Sequence, residues 1–131
     1  MALAAAATVL APVAGAGMLL GNYEEHTAAV MGFVTSAAIP DGVDAADVPR
    51  PMPPDVANHV AAVTLFGTPS HKFTDTVGAP PVVIGPLYQP KTIELCATDP
   101  VCSDGGDWAA HAAYADDGMV DQAANFAVSH L

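Results

Sequence analysis

Lys91-Thr92-Ile93-Glu94-Leu95-Cys96-Ala97-Thr98-Asp99-Pro100-Val101-Cys102 joins a run of strand formers to an acid flanked by two cysteines. Lys91 to Cys96 is a short run of strand formers, closed by a segment rich in turn residues. An acid, Asp99, then sits between two cysteines just beyond the strand's C-terminal end. Open α/β sheets build their sites at that end. His111 follows twelve positions later, in Trp108-Ala109-Ala110-His111-Ala112-Ala113-Tyr114. Cys96 and Cys102 lie close together in a loop rich in Asp, Gly and Pro, which favours a local disulfide, and hence an oxidising compartment, over a buried thiol pair.

Working outward, Val60 to Phe66 is a second apolar strand, stopped by Gly67-Thr68-Pro69. Val13 to Gly21 reads as a third, an apolar run of the kind buried on both faces of a parallel sheet. Glu24 to Ser36 follows as a helix, with an acidic start suited to the helix dipole and a broad apolar face including Met31, Phe33 and Val34. Ile39 to Pro54 piles up Pro, Asp and Gly and reads as a surface connector. A Pro-rich stretch holding Val82, Val83 and Ile84 precedes the last strand, and Trp108 to Tyr114 and Met119 to His130 end the chain as helices. Strands alternating with helices predict an α/β fold with a largely parallel sheet.

The 131 residues, 52% hydrophobic, suffice for one domain and not two. With 3 Lys and Arg against 14 Asp and Glu, the formal charge of −11 argues against nucleic acid as a partner. Arg50, Lys72 and Lys91 are spread too widely to form a basic patch. Neither C-x-x-C nor H-E-x-x-H occurs, so no metal site is expected. Residues 1–17 form an apolar, Ala-rich leader or strand lead-in; with no positive n-region and too few apolar residues, they are neither a convincing signal peptide nor an integral membrane span.

C-x-x-D-P-V-C from Cys96 to Cys102, the later His111 and Tyr114, and the strand ending Leu65-Phe66-Gly67-Thr68-Pro69 together resemble the cutinase family, especially its actinobacterial members. The likeness runs over residues 18–131. It implies a three-layer α/β-hydrolase fold and a secreted carboxylic ester hydrolase of the serine esterase type, acting on ester or lipid substrates without metal or cofactor. By that resemblance Asp99 is the triad acid, His111 the general base, and Cys96–Cys102 the disulfide that steadies the acid's loop. Acid before histidine is also the chain order of α/β-hydrolases. An Asp in an Asp-Pro turn or a His on an Ala-rich helix is, taken alone, more often structural; their joint occurrence between and after the cysteines shifts the balance.

The nucleophile elbow of this superfamily, G-x-S-x-G, is where the pattern departs. The corresponding segment is Leu20-Gly21-Asn22-Tyr23-Glu24-Glu25-His26-Thr27-Ala28-Ala29-Val30. Glu24 stands at the serine's place, and Asn22 and His26 replace the two glycines. A carboxylate there is a weak nucleophile toward esters and an anion near the forming oxyanion. Glu25 is the candidate oxyanion donor through its backbone N–H. Thr27, Ser36, Ser70 and Ser103 are the alternative hydroxyls, none in an elbow. The family's earlier strands have no counterpart before Met18, so the expectation is a truncated copy, impaired or inactive, whose open sheet edge invites self-association. The alternatives are a non-catalytic secreted remnant that binds lipid or protein, and a gene fragment.

Overall fold

The computed structural model describes residues 28–131, and all statements below concern them. The expected strand at Val13–Gly21, the first turn of the expected helix, Glu24, Glu25 and Thr27 lie outside the described residues.

Residues 28–34 are helical (α1). Val63–Phe66 (β1) and Thr92–Leu95 (β2) pair in parallel, with Val63 opposite Thr92 and Phe66 opposite Leu95. Both strands are shorter than the apolar runs that announce them, because pairing is confined to the four residues in register. His71–Val77 (α2) lies in the crossover between them, and Trp108–His111 (α3) and Met119–Val128 (α4) follow β2. Short 3₁₀ helices at Pro54–His59 and Gln89–Lys91 lead toward the two strands. The described residues thus adopt the α/β arrangement, with a two-stranded parallel sheet.

All four β1 residues are buried, as expected of a strand covered on both faces. Side chains alternate across a strand, and the packing follows that period. Val63 and Leu65 join Ala57, Ile84 and Tyr88, with Met31 of α1 packed against them. Phe66 joins Leu95, Tyr114 and Ala123, with Ile93, Met119 and Val120 packed alongside, so α4 covers the opposite face. A third cluster of Phe33, Val48 and Val82 ties α1 to the 39–54 connector and to the Pro-rich stretch. Gly32 makes that approach possible: a Cβ there would lie 2.1 Å from Val82 Cγ1.

Three helices end earlier than expected and one was not expected; α1 stops at residue 34 rather than Ser36. α3 stops at His111 rather than Tyr114, because the chain then turns to send the Tyr114 side chain back toward β2. α4 stops at Val128, where Ser129 and His130 bond back to Asn125 and Ala127. α2 has too little apolar periodicity to announce itself. Its signals are terminal: Ser70 Oγ accepts from Phe73 N at 3.1 Å, and Gly78 closes the helix at φ 67°.

Leu65 is fully buried at the centre of β1. Leu65→Ala is expected to destabilise the fold by about 2–5 kcal/mol, read as a shift of the urea midpoint at constant slope; a loss below about 1 kcal/mol would contradict this core.

Candidate active site

β1 and β2 end side by side, and the segments that leave them meet at one point. After β1, Gly67 donates its N–H to Leu95 O at 2.9 Å and turns with φ 64°, a left-handed conformation suited to glycine. After β2, the chain forms a tight loop closed by the Cys96–Cys102 disulfide, whose Cα atoms are 5.9 Å apart. Ser70 N donates to Val101 O at 2.9 Å, which ties this loop to the start of α2, and the exposed Lys72–Asp104 ion pair adds a second link.

Asp99 sits inside the loop with no solvent exposure. Oδ1 accepts from the backbone N–H of Val101 at 2.7 Å and of Cys102 at 3.3 Å. Oδ2 accepts from the Tyr114 hydroxyl and lies 3.0 Å from His111 Nδ1. Cys102 Sγ is 3.2 Å from Oδ2, a contact rather than a hydrogen bond, since a disulfide sulfur carries no proton. Burial pushes Asp99 toward its neutral form. The hydrogen bonds from Tyr114, His111 and Val101 and the charge of the imidazolium outweigh that, and its carboxyl is held below the usual range.

His111 is positioned by a one-turn helix. Asp107 caps it, accepting from Ala109 N at 3.0 Å and Ala110 N at 3.4 Å. An ionised carboxylate only accepts, so Nδ1 of the neutral ring carries the proton and Nε2 keeps its lone pair. Among the described residues nothing hydrogen-bonds Nε2, and the side chain is 18% exposed. Trp108, one turn earlier on the same helix, is largely exposed and meets Phe73 of α2 edge-on at 6.4 Å. Gly67 is the floor of the pair: a Cβ on it would lie 3.0 Å from Asp99 Oδ2 and 3.1 Å from His111 Nδ1.

Of the residues singled out in the sequence, Asp99, His111, Cys96 and Cys102 are thus brought together. The alternative hydroxyls have other partners: Ser36 Oγ donates to Phe33 O, Ser70 caps α2, and Ser103 Oγ donates to Asp99 O. Sequence reasoning missed what Tyr114 and Gly67 do for Asp99. The offset of three between His111 and Tyr114 was the available signal, since residues so spaced can share one side of a helical turn. Among the described residues no three His, Cys, Asp or Glu side chains are grouped to hold a metal ion, and no helix is long and apolar enough to cross a membrane.

Two outcomes are expected from this geometry. Because the Asp99 carboxyl is depressed in the folded state, its contribution is complete above the ordinary carboxylate value and is lost as pH falls through the lower folded value. Stability should therefore drop below about pH 4, and Asp99→Asn should flatten that part of a denaturation-midpoint profile; an unchanged slope would contradict the assignment. Gly67→Ala should cost about 1–2 kcal/mol from its backbone conformation alone, with further loss from contact with the acid and the imidazole; a variant as stable as the parent would contradict it.

The comparisons with known proteins agree with this arrangement. A model of the cutinase family matches residues 16–131. The chain is 67% identical over 115 residues to the probable carboxylesterase Culp5 of Mycobacterium tuberculosis, covering 87% of this chain and 65% of that protein. It is 59% identical over 114 residues to the probable carboxylesterase Culp7 of the same organism, covering 86% and 60%. It is 39% identical over 115 residues to the phospholipase Culp4, also of that organism, covering 87% and 46%. The chain therefore spans less than two thirds of the length of these relatives. No solved structure matches it. With its parallel strands, its disulfide-closed acid loop and a family match over most of its length, this chain belongs to the cutinase family.

Proposed function

We propose that this chain carries the acid and base of a cutinase-type carboxylic ester hydrolase, built on part of a three-layer α/β-hydrolase framework. One observation carries the reading: a fully buried carboxylate bonds one nitrogen of an imidazole whose other nitrogen has no partner among the described residues. Asp99 fixes the ring and its tautomer and stabilises the imidazolium that forms when Nε2 takes a proton from a hydroxyl. The same nitrogen then returns the proton to the departing alcohol. The substrate class is a carboxylic ester, which is supported by the carboxylesterase and phospholipase names of the relatives. The disulfide suits secretion into an oxidising compartment.

The alcohol is what the sequence withholds. Position 24, where the resemblance to the family's elbow puts the serine, is Glu24, which has no hydroxyl proton for His111 to remove. By the same resemblance Glu25 is the candidate oxyanion donor through its backbone N–H. Removing the serine of a serine hydrolase costs about 10⁶ in kcat, so turnover by this chain should be close to nil. The same substitution favours a second reading, in which the cutinase framework survives as a non-catalytic binder of lipid or protein.

The test uses p-nitrophenyl butyrate and a fluorophosphonate probe. The chain as it stands should hydrolyse the ester no faster than its His111→Ala variant and should take no label; His111-dependent hydrolysis would overturn the impairment. Restoring the elbow with Asn22→Gly, Glu24→Ser and His26→Gly should create labelling at position 24 that disappears with His111→Ala. A folded triple variant that stays unlabelled would contradict the acid and base roles.

A further inference from the structure

Tyr114 occupies an unusual position for a residue that neither reading of the function uses. Its hydroxyl donates to Asp99 Oδ2, the oxygen that also faces His111 Nδ1. That hydroxyl accepts from Ala97 N at 3.1 Å and lies 3.4 Å from Cys102 Sγ, so one oxygen touches the start of the acid loop, its acid and its disulfide. The ring is buried, 5.7 Å from Phe66 of β1 and edge-on to His111 at 6.5 Å. Burial, the hydrogen bond to Asp99 and the charges of Asp99 and Asp117 raise the Tyr114 hydroxyl above its ordinary range, so it stays protonated and keeps donating through neutral and alkaline pH.

The other carboxylate oxygen shows what this donor adds. Oδ1 is already held by two backbone N–H groups, which fix the orientation of Asp99 without help from Tyr114. The hydroxyl therefore acts on Oδ2, where it shares with His111 the charge of a single oxygen. A carboxylate oxygen that accepts a second hydrogen bond attracts an imidazolium less strongly.

We infer that Tyr114 is a positioning residue of the acid and base pair, which donates to the same Oδ2 of Asp99 that faces His111 and tempers its pull on the imidazole proton. The inference rests on the reading of Asp99 and His111 as acid and base, and it gives that pair a third member contributed by the chain beyond α3. Among the described residues, the titratable groups in contact with the imidazole are Asp99, from the loop after β2, and Tyr114 itself. Asp117 acts on Tyr114, and Asp107 caps the imidazole's own helix.

The experiment is an NMR titration of the ring protons of the five histidines, with His111 assigned by its loss in His111→Gln. It needs no ester turnover, so it reports on the pair even if the hydrolase reading fails. Tyr114→Phe keeps the ring and removes only the hydroxyl. The His111 midpoint should rise by about half a pH unit or more, the equivalent of one modest hydrogen bond. A midpoint that stays or falls in a folded variant would overturn the inference. Phe66→Leu should lower the melting temperature without moving the midpoint; an equal rise there would assign the effect to packing and overturn it as well. Should Tyr114→Phe not fold, biosynthetic replacement of tyrosine by 3-fluorotyrosine supplies a stronger donor in the same place. The midpoint should then fall, and an unmoved midpoint would overturn the inference.

Discussion

The constraint on which the site depends is the complete burial of one ionised carboxylate. Asp99 is wholly removed from solvent, and an unpaired charge in that position would cost several kcal/mol. It is tolerated because two backbone N–H groups, one phenol and one imidazole converge on its two oxygens. Those donors come from the acid loop itself, from α3 and from the turn beyond it. Satisfying Asp99 therefore fixes how the chain must run from the end of β2 to Tyr114. The disulfide, the bond from Ser70 to Val101 and the glycine floor at position 67 all act on the same small volume.

This constraint explains which features were legible in the residues and which were not. β1 and β2 announced themselves as apolar runs closed by turn chemistry, and a strand buried on both faces needs little else. The acid and the histidine were legible because the cysteines bracket one and an Ala-rich turn carries the other. α2 was not, since Lys72, Asp75 and its threonines give no apolar stripe and its capping residues look like ordinary loop residues. The length of α3 was misread for a related reason. Ala112 and Ala113 favour helix, yet the pull of Tyr114 toward Asp99 and Ala97 ends it early, a tertiary override of local propensity. The position of the Tyr114 hydroxyl depends on that turn, so no local pattern contained it.

The family match and the geometry bear on different parts of the same conclusion. The match places the chain among cutinases over most of its length, and the geometry supplies a reason why C-x-x-D-P-V-C is followed at this distance by a histidine and a tyrosine. Hydrolysis by such a pair requires a further partner, an alcohol poised opposite Nε2. Among the described residues, Asp99 and His111 are held by β1, β2 and the segments that leave them.

What joins His111 to the buried carboxylate is the Nδ1 proton that its imidazole donates to Asp99. ¹⁵N-resolved proton NMR of histidine-labelled protein at neutral pH tests it most directly. The account predicts a strongly downfield proton on Nδ1 of His111 that vanishes in Asp99→Asn. A ring protonated on Nε2, or an Nδ1 proton indifferent to that substitution, would contradict it.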